Sequence, residues 1–319
     1  MTIVSKNKVL ALFGPTACGK TALLERLFTG PQRLLPFDAG IVSADSIQIY
    51  RGLDIGSAKP EATLLQNLPH ALIDIRDPQE SFSLGDFVQL ADQACRNFIA
   101  EGRVPVLSGG TAYYIKAFIY GLPTAPPADL AVRAALQAEL AATGAEILRT
   151  ELQRVDPLSY TRIAPADHYR LLRALEVFRS SGRPLSSYEL PTMPRPDWDV
   201  VPVAIDRPRE ELYRRIDTRV QQLLAAGLPA EIAVLRASGY DQATPAMKGI
   251  GYSEFFDPSL SGLQPEAALA AVREAIALHS RRYAKRQLTF MRALPGVSWF
   301  PAEAAEQIAE YIRRTLWSN

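Results

Sequence analysis

Residues Gly14–Thr21 read GPTACGKT, with the spacing Gly-x-x-x-x-Gly-Lys-Thr, directly after the apolar run Lys8–Phe13 and directly before the helix-forming TALLERLF. A strand that ends in such a turn and reopens as a helix has little conformational choice. The glycines let the backbone turn tightly, so successive N–H groups and the helix N-terminus point at one anion. Lys20 adds a point charge, and the Thr21 hydroxyl can ligate Mg²⁺. Gly14, Pro15, Thr16, Ala17, Cys18, Gly19, Lys20 and Thr21 are therefore expected to bind a phosphate or pyrophosphate. Loops of this kind usually hold a nucleoside triphosphate such as ATP, but the loop alone leaves its ligand open. A chance match in a glycine-rich turn is the bland alternative, and the flanking strand and helix weigh against it.

Lys8–Phe13, Gly40–Ala44, Ala71–Ile75 and Val104–Leu107 are short apolar runs that predict buried strands. The segments between them are long enough for helices. Ser83–Ala100 is the clearest, with Phe87, Leu90, Ala91, Ala94 and Phe98 on one face. This alternation predicts an α/β fold, a P-loop-containing core with a parallel β-sheet flanked by helices. After Gly121 comes the proline-rich LPTAPPAD, then only helical periodicity to about Gly182, then a second proline-rich stretch, LPTMPRPDWD. Two such hinges predict an inserted all-helical subdomain at 123–197, which divides the core into 1–122 and 198–319. Asp199–Ile205 returns to strand character. Helices follow near Arg209–Ala226, Pro229–Ala237 and Pro265–Arg292, with a last strand at Val297–Phe300.

With 319 residues, 48% of them hydrophobic, the chain can bury a sizeable core. Formal net charge is only +1, from 35 basic and 34 acidic residues, so any nucleic-acid contact must come from local patches. Cys18 and Cys95 form no CxxC pair, which argues against a disulfide scaffold or a zinc site and fits a reducing cytoplasm. His70, His168 and His279 lie far apart and show no ligand spacing. The first seven residues are polar and no apolar run approaches ~20 residues, so neither a signal peptide nor a membrane span is expected.

Two more segments carry functional groups at the expected carboxyl edge of the sheet, where ligands of such folds bind. In SADSIQIYRGLDIGSAKP (Ser43–Pro60), Asp45 ends the second strand, where it can ligate a metal, cap a helix or act as a general base. Ser46 and Gln48 beside it can read a nucleobase edge. In SGGTAYYIKA (Ser108–Ala117), a Gly-Gly-Thr turn opens a helix and offers more N–H donors and the Thr111 hydroxyl. Tight strand-to-helix geometry alone would also account for those glycines.

GPTACGKT, SADSIQIYRGLDIGSAKP, HALIDIRDP, SGGTAYYIKA, YRLLRALEVFRSSGRPL, MKGIGY and YAKRQLTFMR occur in this order. Together they resemble the tRNA dimethylallyltransferases, also called tRNA isopentenyltransferases, from about Val9 to Arg292. Departures are small: Cys18 stands where the family often has Ser, Ser57 where it often has Thr, and Phe290 where Trp is usual. The resemblance implies that the loop holds the pyrophosphate of dimethylallyl diphosphate, with Mg²⁺, rather than ATP used as an energy source. It implies alkyl transfer to N6 of an adenosine beside the tRNA anticodon, position 37. An aromatic amine is a poor nucleophile, so a carboxylate must accept its proton, and Asp45 matches the motif position for that base. Lys20, Thr21, the loop amides and Mg²⁺ would face the charge that grows on pyrophosphate. Arg215 matches the family arginine that reaches the leaving group, although without the resemblance it reads as a solvated helix charge.

The same resemblance implies tRNA contacts. Asp45, Ser46, Ile47 and Gln48 would meet a flipped adenosine, with Thr111 at the mouth of the channel. Arg133, Tyr169, Arg170, Leu171, Leu172 and Arg173 would contribute from the inserted block, and Lys248, Gly249, Ile250, Gly251 and Tyr252 from the second half. The arginine-rich segments Arg162–Arg183 and Arg281–Arg292 fit this, though each is equally readable as a solvated helix face. The implied partners are the tRNA anticodon stem-loop and dimethylallyl diphosphate, with no membrane and a monomeric, cytoplasmic chain. A P-loop small-molecule kinase, an adenylate isopentenyltransferase and a non-enzymatic RNA-binding regulator are the rivals. The basic inserted block and the long C-terminal half favour tRNA over a free nucleotide. A regulator would not need Lys20, Thr21 and Asp45 together.

Overall fold

The computed structural model describes residues 7–317. Residues 1–6, part of the stretch read as carrying no signal peptide, and residues 318–319 lie outside the described residues. The strands are β1 (Lys8–Phe13), β2 (Ala39–Ala44), β3 (His70–Ala71), β4 (Val104–Gly109), β5 (Asp199–Asp206) and β6 (Ser298–Pro301). They form one sheet in the order β3-β2-β4-β1-β5-β6, and every pairing is parallel. A parallel sheet covered on both faces demands continuous apolar strands rather than alternating ones. All residues of β2 and β4 and Val9–Phe13 of β1 are buried accordingly.

The helices are α1 (Lys20–Phe28), α2 (Ala62–Asn67), α3 (Leu84–Ala100), α4 (Ala112–Tyr120), α5 (Leu130–Thr143), α6 (Ala145–Val155), α7 (Pro157–Arg162), α8 (His168–Ser181), α9 (Arg209–Ala225), α10 (Leu228–Ala237), α11 (Pro265–Arg292) and α12 (Ala305–Trp317). α3 starts where its sequence signals a start. The Ser83 hydroxyl accepts from the Asp86 amide while the Asp86 carboxylate accepts from the Ser83 amide, a reciprocal cap.

Two differences from the sequence reading have physical causes. The apolar run Ala71–Ile75 is strand only at its start, because Leu72 and Asp74 adopt φ of 65° and 56°, a left-handed conformation that breaks a ladder. The Asp74 and Ile75 amides instead donate to the carbonyls of Gln48 and Ile49. α12 was not expected at all. It buries Ile308, Ala309, Ile312 and Leu316, the i, i+4 spacing of an amphipathic helix.

The chain forms two compact units, residues 1–119 with 195–319, and Tyr120–Pro194. In the first, the chain leaves and returns at adjoining points, since the Arg195 amide donates to the Ile119 carbonyl at 2.8 Å. The Arg195 guanidinium then grips both carboxylate oxygens of Asp92 on α3, at 2.9 and 2.8 Å, and Trp198 Nε1 adds a third bond of 2.8 Å. The second unit packs α5, α6, α7 and α8 around Leu136, Leu148, Leu152, Leu171 and Leu175. Its buried Glu176 accepts from Arg133 at 2.9 Å, Arg173 at 2.6 Å and the Asp129 amide at 3.0 Å. A buried carboxylate needs that many donors to offset its lost hydration.

Asp92→Ala would leave the Arg195 guanidinium mostly buried without its counter-charge. It is expected to lower the unfolding free energy by about 2 kcal/mol, read from the denaturant midpoint. Burial alone would raise the Asp92 carboxyl, but the bonds from Arg195 and Trp198 outweigh it and hold the group below the usual carboxylate range. A depressed folded pKa stabilises fully above the unfolded value and ceases to do so as pH falls through the folded one. The difference between wild type and variant should therefore be constant near neutral pH and shrink only in acid.

Candidate active site

The β1–α1 turn has most of its carbonyls engaged by basic side chains and leaves the first amides of α1 without acceptors. Lys20 Nζ donates to the carbonyls of Gly14 and Pro15 at 3.0 and 2.9 Å. Arg215 Nε donates to the Ala17 carbonyl at 2.9 Å, and Arg207 Nε to the Cys18 carbonyl at 2.7 Å. The amides of Lys20, Thr21 and Ala22, in the first turn of α1, find no backbone acceptor among the described residues. Two positions fix the turn. A Cβ on Gly14 would come within 2.6 Å of the Ile205 carbonyl oxygen, and Gly19 has φ of 107°. Ala17 also lies in the left-handed region, at φ 61°.

Gln287 of α11 ties this turn to its neighbour. Its Oε1 accepts from the Thr16 amide at 2.9 Å while its Nε2 donates to the Gly110 carbonyl at 2.6 Å. The Gly110 carbonyl also accepts from the Tyr283 hydroxyl at 3.3 Å. Beside them, the Asp45 Oδ1 accepts from the amides of Ile47 and Gln48 at 2.9 and 3.3 Å. The carboxylate thus caps a turn, not a helix, and is held there by one oxygen. Thr111 braces the same turn, accepting from the Ser46 amide at 3.1 Å.

Two cavities meet at Asp45. One, of about 800 Å³, is bordered by Thr16, Ala17, Gly19, Lys20 and Thr21 together with Arg214, Arg215 and Arg219 of α9. The other, of about 480 Å³, is bordered by Ser46, Ile47, Thr111, Tyr114, Lys248, Gly249, Ile250, Gly251 and Arg286. Thr16, Asp45, Arg219, Leu223 and Tyr283 border both. Burial pulls the Arg219 guanidinium pKa down while the charge of Asp45 pulls it back up, and among the described residues Arg219 makes no hydrogen bond or ion pair. Its donors are available to a ligand. Burial, then the Asp45 charge, push the Tyr283 phenol up to about 12, so it remains a neutral donor.

Arg219 and Gln287 were missed in the sequence reading, and Tyr283 figured there only as part of the basic segment Arg281–Arg292. A signal existed for the first: Glu211, Arg215, Thr218, Arg219 and Gln222 share one face at helical spacing, and all border the larger cavity. Arg215, expected at the leaving group, is exposed and braces the loop through Ala17. Thr21 is exposed on the first turn of α1, and no cluster of three or more His, Cys, Asp or Glu able to hold a metal occurs among the described residues. In the helical unit, Leu171 and Leu172 are core side chains, so their contribution is packing. Tyr169 is 72% exposed and lies under the Arg133 guanidinium at 4.8 Å, while Arg170 pairs with Asp167 and Arg173 with Glu176. Tyr252 is fully buried beneath the Lys248–Gly251 wall and presents no side chain to a ligand. No helix among the described residues is long and apolar enough to cross a membrane.

The family model described as IPP transferase matches residues 48–294. The chain belongs to the IPP transferase family. It is 41% identical to tRNA dimethylallyltransferase 1 of Trichlorobacter lovleyi over 94% of this chain and 96% of that one. It is 39% identical to tRNA dimethylallyltransferase of Geobacter sulfurreducens over 93% and 94%. The full-length tRNA isopentenylpyrophosphate transferase of Bacillus halodurans superposes with a TM-score of 0.66 at 34% identity, covering 97% of both chains. A eukaryotic dimethylallyltransferase acting on tRNA shares the fold at a TM-score of 0.77 and 21% identity, over 97% of this chain and 78% of that one.

Arg219→Met keeps the length of the side chain and removes its charge. Affinity for inorganic pyrophosphate, measured by titration calorimetry, should fall by about tenfold or more, the usual loss for a charge-assisted bond. Thermal stability should hold or rise, because a half-buried charge without a partner has gone. Undiminished affinity would remove Arg219 from the anion site.

Proposed function

We infer that the chain transfers the dimethylallyl group of dimethylallyl diphosphate to N6 of adenosine at position 37 of tRNA, beside the anticodon, releasing diphosphate. The observation that carries this is the position of Asp45, where an anion cradle and a second opening meet. A diphosphate ester on the loop and an amine arriving through the other opening would face each other across one carboxylate. The N6 lone pair is delocalised into the purine, so bond formation needs the proton removed as the nitrogen attacks. The N6–carbon bond forms, the allylic carbon–oxygen bond breaks, its electron pair leaves on diphosphate, and the N6 proton passes to Asp45. With Oδ1 held by two amides, Oδ2 is the acceptor. Charge growing on the leaving oxygens is met by the amides of the first α1 turn, Lys20 and Arg219, with Arg215 at the rim.

Mg²⁺ is part of this proposal. It is a hard cation that keeps several waters and shares its remaining sites between substrate phosphates and few protein oxygens. The donor set fits, with the Thr21 hydroxyl as the loop's ligand and the diphosphate supplying the rest. When bound, the ion neutralises charge on the leaving group.

For tRNA, α11 exposes Arg282, Lys285 and Arg286 in succession, and Arg286 borders the smaller cavity. Such a stripe is the footprint expected of a phosphate backbone on a chain of near-zero net charge. The adenine must leave its stack to enter, which a hairpin loop permits at low cost. One chain carries every group named, so a monomer suffices, and the proposed setting is the cytoplasm.

Purified protein incubated with labelled dimethylallyl diphosphate, Mg²⁺ and an anticodon stem-loop should yield N6-isopentenyladenosine by nucleoside mass spectrometry. Label moving from γ-labelled ATP instead would revive the kinase reading, and AMP replacing the stem-loop as acceptor would point to an adenylate transferase. Asp45→Asn should slow single-turnover transfer by ~10²-fold or more with pyrophosphate affinity intact. Lys285→Ala combined with Arg286→Ala should flatten the slope of log tRNA affinity against log salt by roughly two and leave diphosphate affinity alone.

A further inference from the structure

Glu231 on α10 borders neither cavity, yet its carboxylate gathers four donors. Oε2 accepts from the amides of Asp54 and Ile55 at 2.9 and 2.7 Å. Oε1 accepts from the Gly56 amide at 3.1 Å and from the Tyr252 hydroxyl at 2.8 Å. The same hydroxyl accepts from the Ser57 amide at 3.1 Å. One carboxylate and one phenol therefore fix consecutive amides along 54–57, an arrangement normally reserved for bound anions.

The held segment is under constraint. Ala58, immediately after it, has φ of 49°, which a residue with a Cβ adopts only when its surroundings insist. A Cβ on Gly56 would come within 2.5 Å of the Tyr252 ring, so the backbone lies directly against the phenol. The output of the clasp is Gln48. The carbonyls of Ser57 and Ala58 accept from its Nε2 at 3.4 and 3.2 Å. Two acceptors on that side demand the NH₂ group, which fixes the amide with Oε1 toward the Ser43 hydroxyl at 3.0 Å. Gln48 in turn donates its backbone N–H to Asp45. Tyr252 also closes the other flank, since its amide donates to the Gly249 carbonyl at 3.1 Å and Gly249 packs on Ile47, where a Cβ would meet Cδ1 at 2.6 Å.

We propose that Glu231, relayed by Tyr252, is a positioning residue for the acceptor half of the site: it sets the 54–58 loop and through it the Asp45–Gln48 turn that receives the adenine. This rests on the transferase reading above. The donor half is held by other groups, namely Gln287, Arg207 and Arg215. Gln48 and Ala58 also border the larger cavity, but the phosphate loop is bonded elsewhere, so disturbing Glu231 should act on the acceptor far more than on the diphosphate.

The test uses the full chain with dimethylallyl diphosphate and an anticodon stem-loop. Glu231→Gln keeps the shape but turns an NH₂ toward amides that need an acceptor. kcat/KM for the stem-loop should fall about 10–100-fold, as for a slightly misplaced reacting group. The Kd for the diphosphate should stay within about twofold, and hydrogen exchange over residues 54–57 should accelerate. Tyr252→Phe should give a smaller fall with the same selectivity, and the double variant should fall no further than Glu231→Gln alone, because both act through one loop. Equal losses for both substrates, or a lowered Tm with unchanged acceptor kinetics, would overturn the proposal. If Glu231→Gln does not fold, Tyr252→Phe decides by the same split between substrates. Wild-type protein that modifies no stem-loop fails the transferase reading itself; active wild type with unselective variants fails only this inference.

Discussion

A strand that runs straight into a helix must leave the helix's first amides without acceptors, and in this fold that deficit is kept rather than repaired. The β1–α1 turn could satisfy itself by folding its carbonyls back toward those amides. Here four of the carbonyls are already taken: Gly14 and Pro15 by Lys20, Ala17 by Arg215, and Cys18 by Arg207. The result is a concavity with unused donors and most of its carbonyls engaged, which suits an anion. Ala17 in a left-handed conformation stores on the order of 1 kcal/mol for this geometry.

The charge pattern around the turn follows the same logic. A formal charge of +1 hides a strong local imbalance, because Arg214, Arg215 and Arg219 reach the cavity wall from one helix while its carboxylates are few. Glu211 is on that wall but is paired with Arg207. Asp45 is left as the main negative charge near Arg219, and the two influence each other without an ion pair. A direct pair would neutralise both the proposed base and the cation proposed to meet the anion. Holding Asp45 by backbone amides instead keeps the carboxylate ordered and leaves the guanidinium free.

Much of this was legible in the sequence where one residue type determines one geometry. The phosphate-loop turn needs Gly14 for lack of space and Gly19 for its positive φ, so spelling and structure coincide. The apolar strands of a doubly covered parallel sheet are legible for a similar reason. Legibility failed where the deciding contact is remote. Nothing near His70 states that Leu72 and Asp74 will turn left-handed, because the acceptors for the bonds that follow lie at Gln48 and Ile49. Gln287 looks like an ordinary helix residue until Thr16 and Gly110 are seen on either side of its amide. Leu171, Leu172 and Tyr252 sit inside motifs that resemble contact segments, yet a motif is matched as a string while burial selects individual side chains. Tyr252 belongs to its motif because it supports the wall, not because it forms it.

That division between wall and support also bears on the proposed reaction, in which two unlike substrates would share one carboxylate. The donor side is anchored by Gln287 of α11, Arg207 in the β5–α9 connection and Arg215 of α9. The acceptor side is anchored through α10 and the start of α4, by Glu231, Tyr252 and Thr111. The two sets of supports have no residue in common, and the cavities they shape share only a short boundary that includes Asp45, Arg219 and Tyr283. A reaction that brings an amine to a carbon leaving with pyrophosphate needs its two partners aligned to a fraction of an ångström at that boundary. Largely separate anchorage lets each partner be positioned by its own supports, with Gln287 linking the two through Thr16 and Gly110. The alignment is then fixed at the boundary, where amides of its own turn hold the Asp45 carboxylate and Thr111 and the Gln48 amide brace that turn in place.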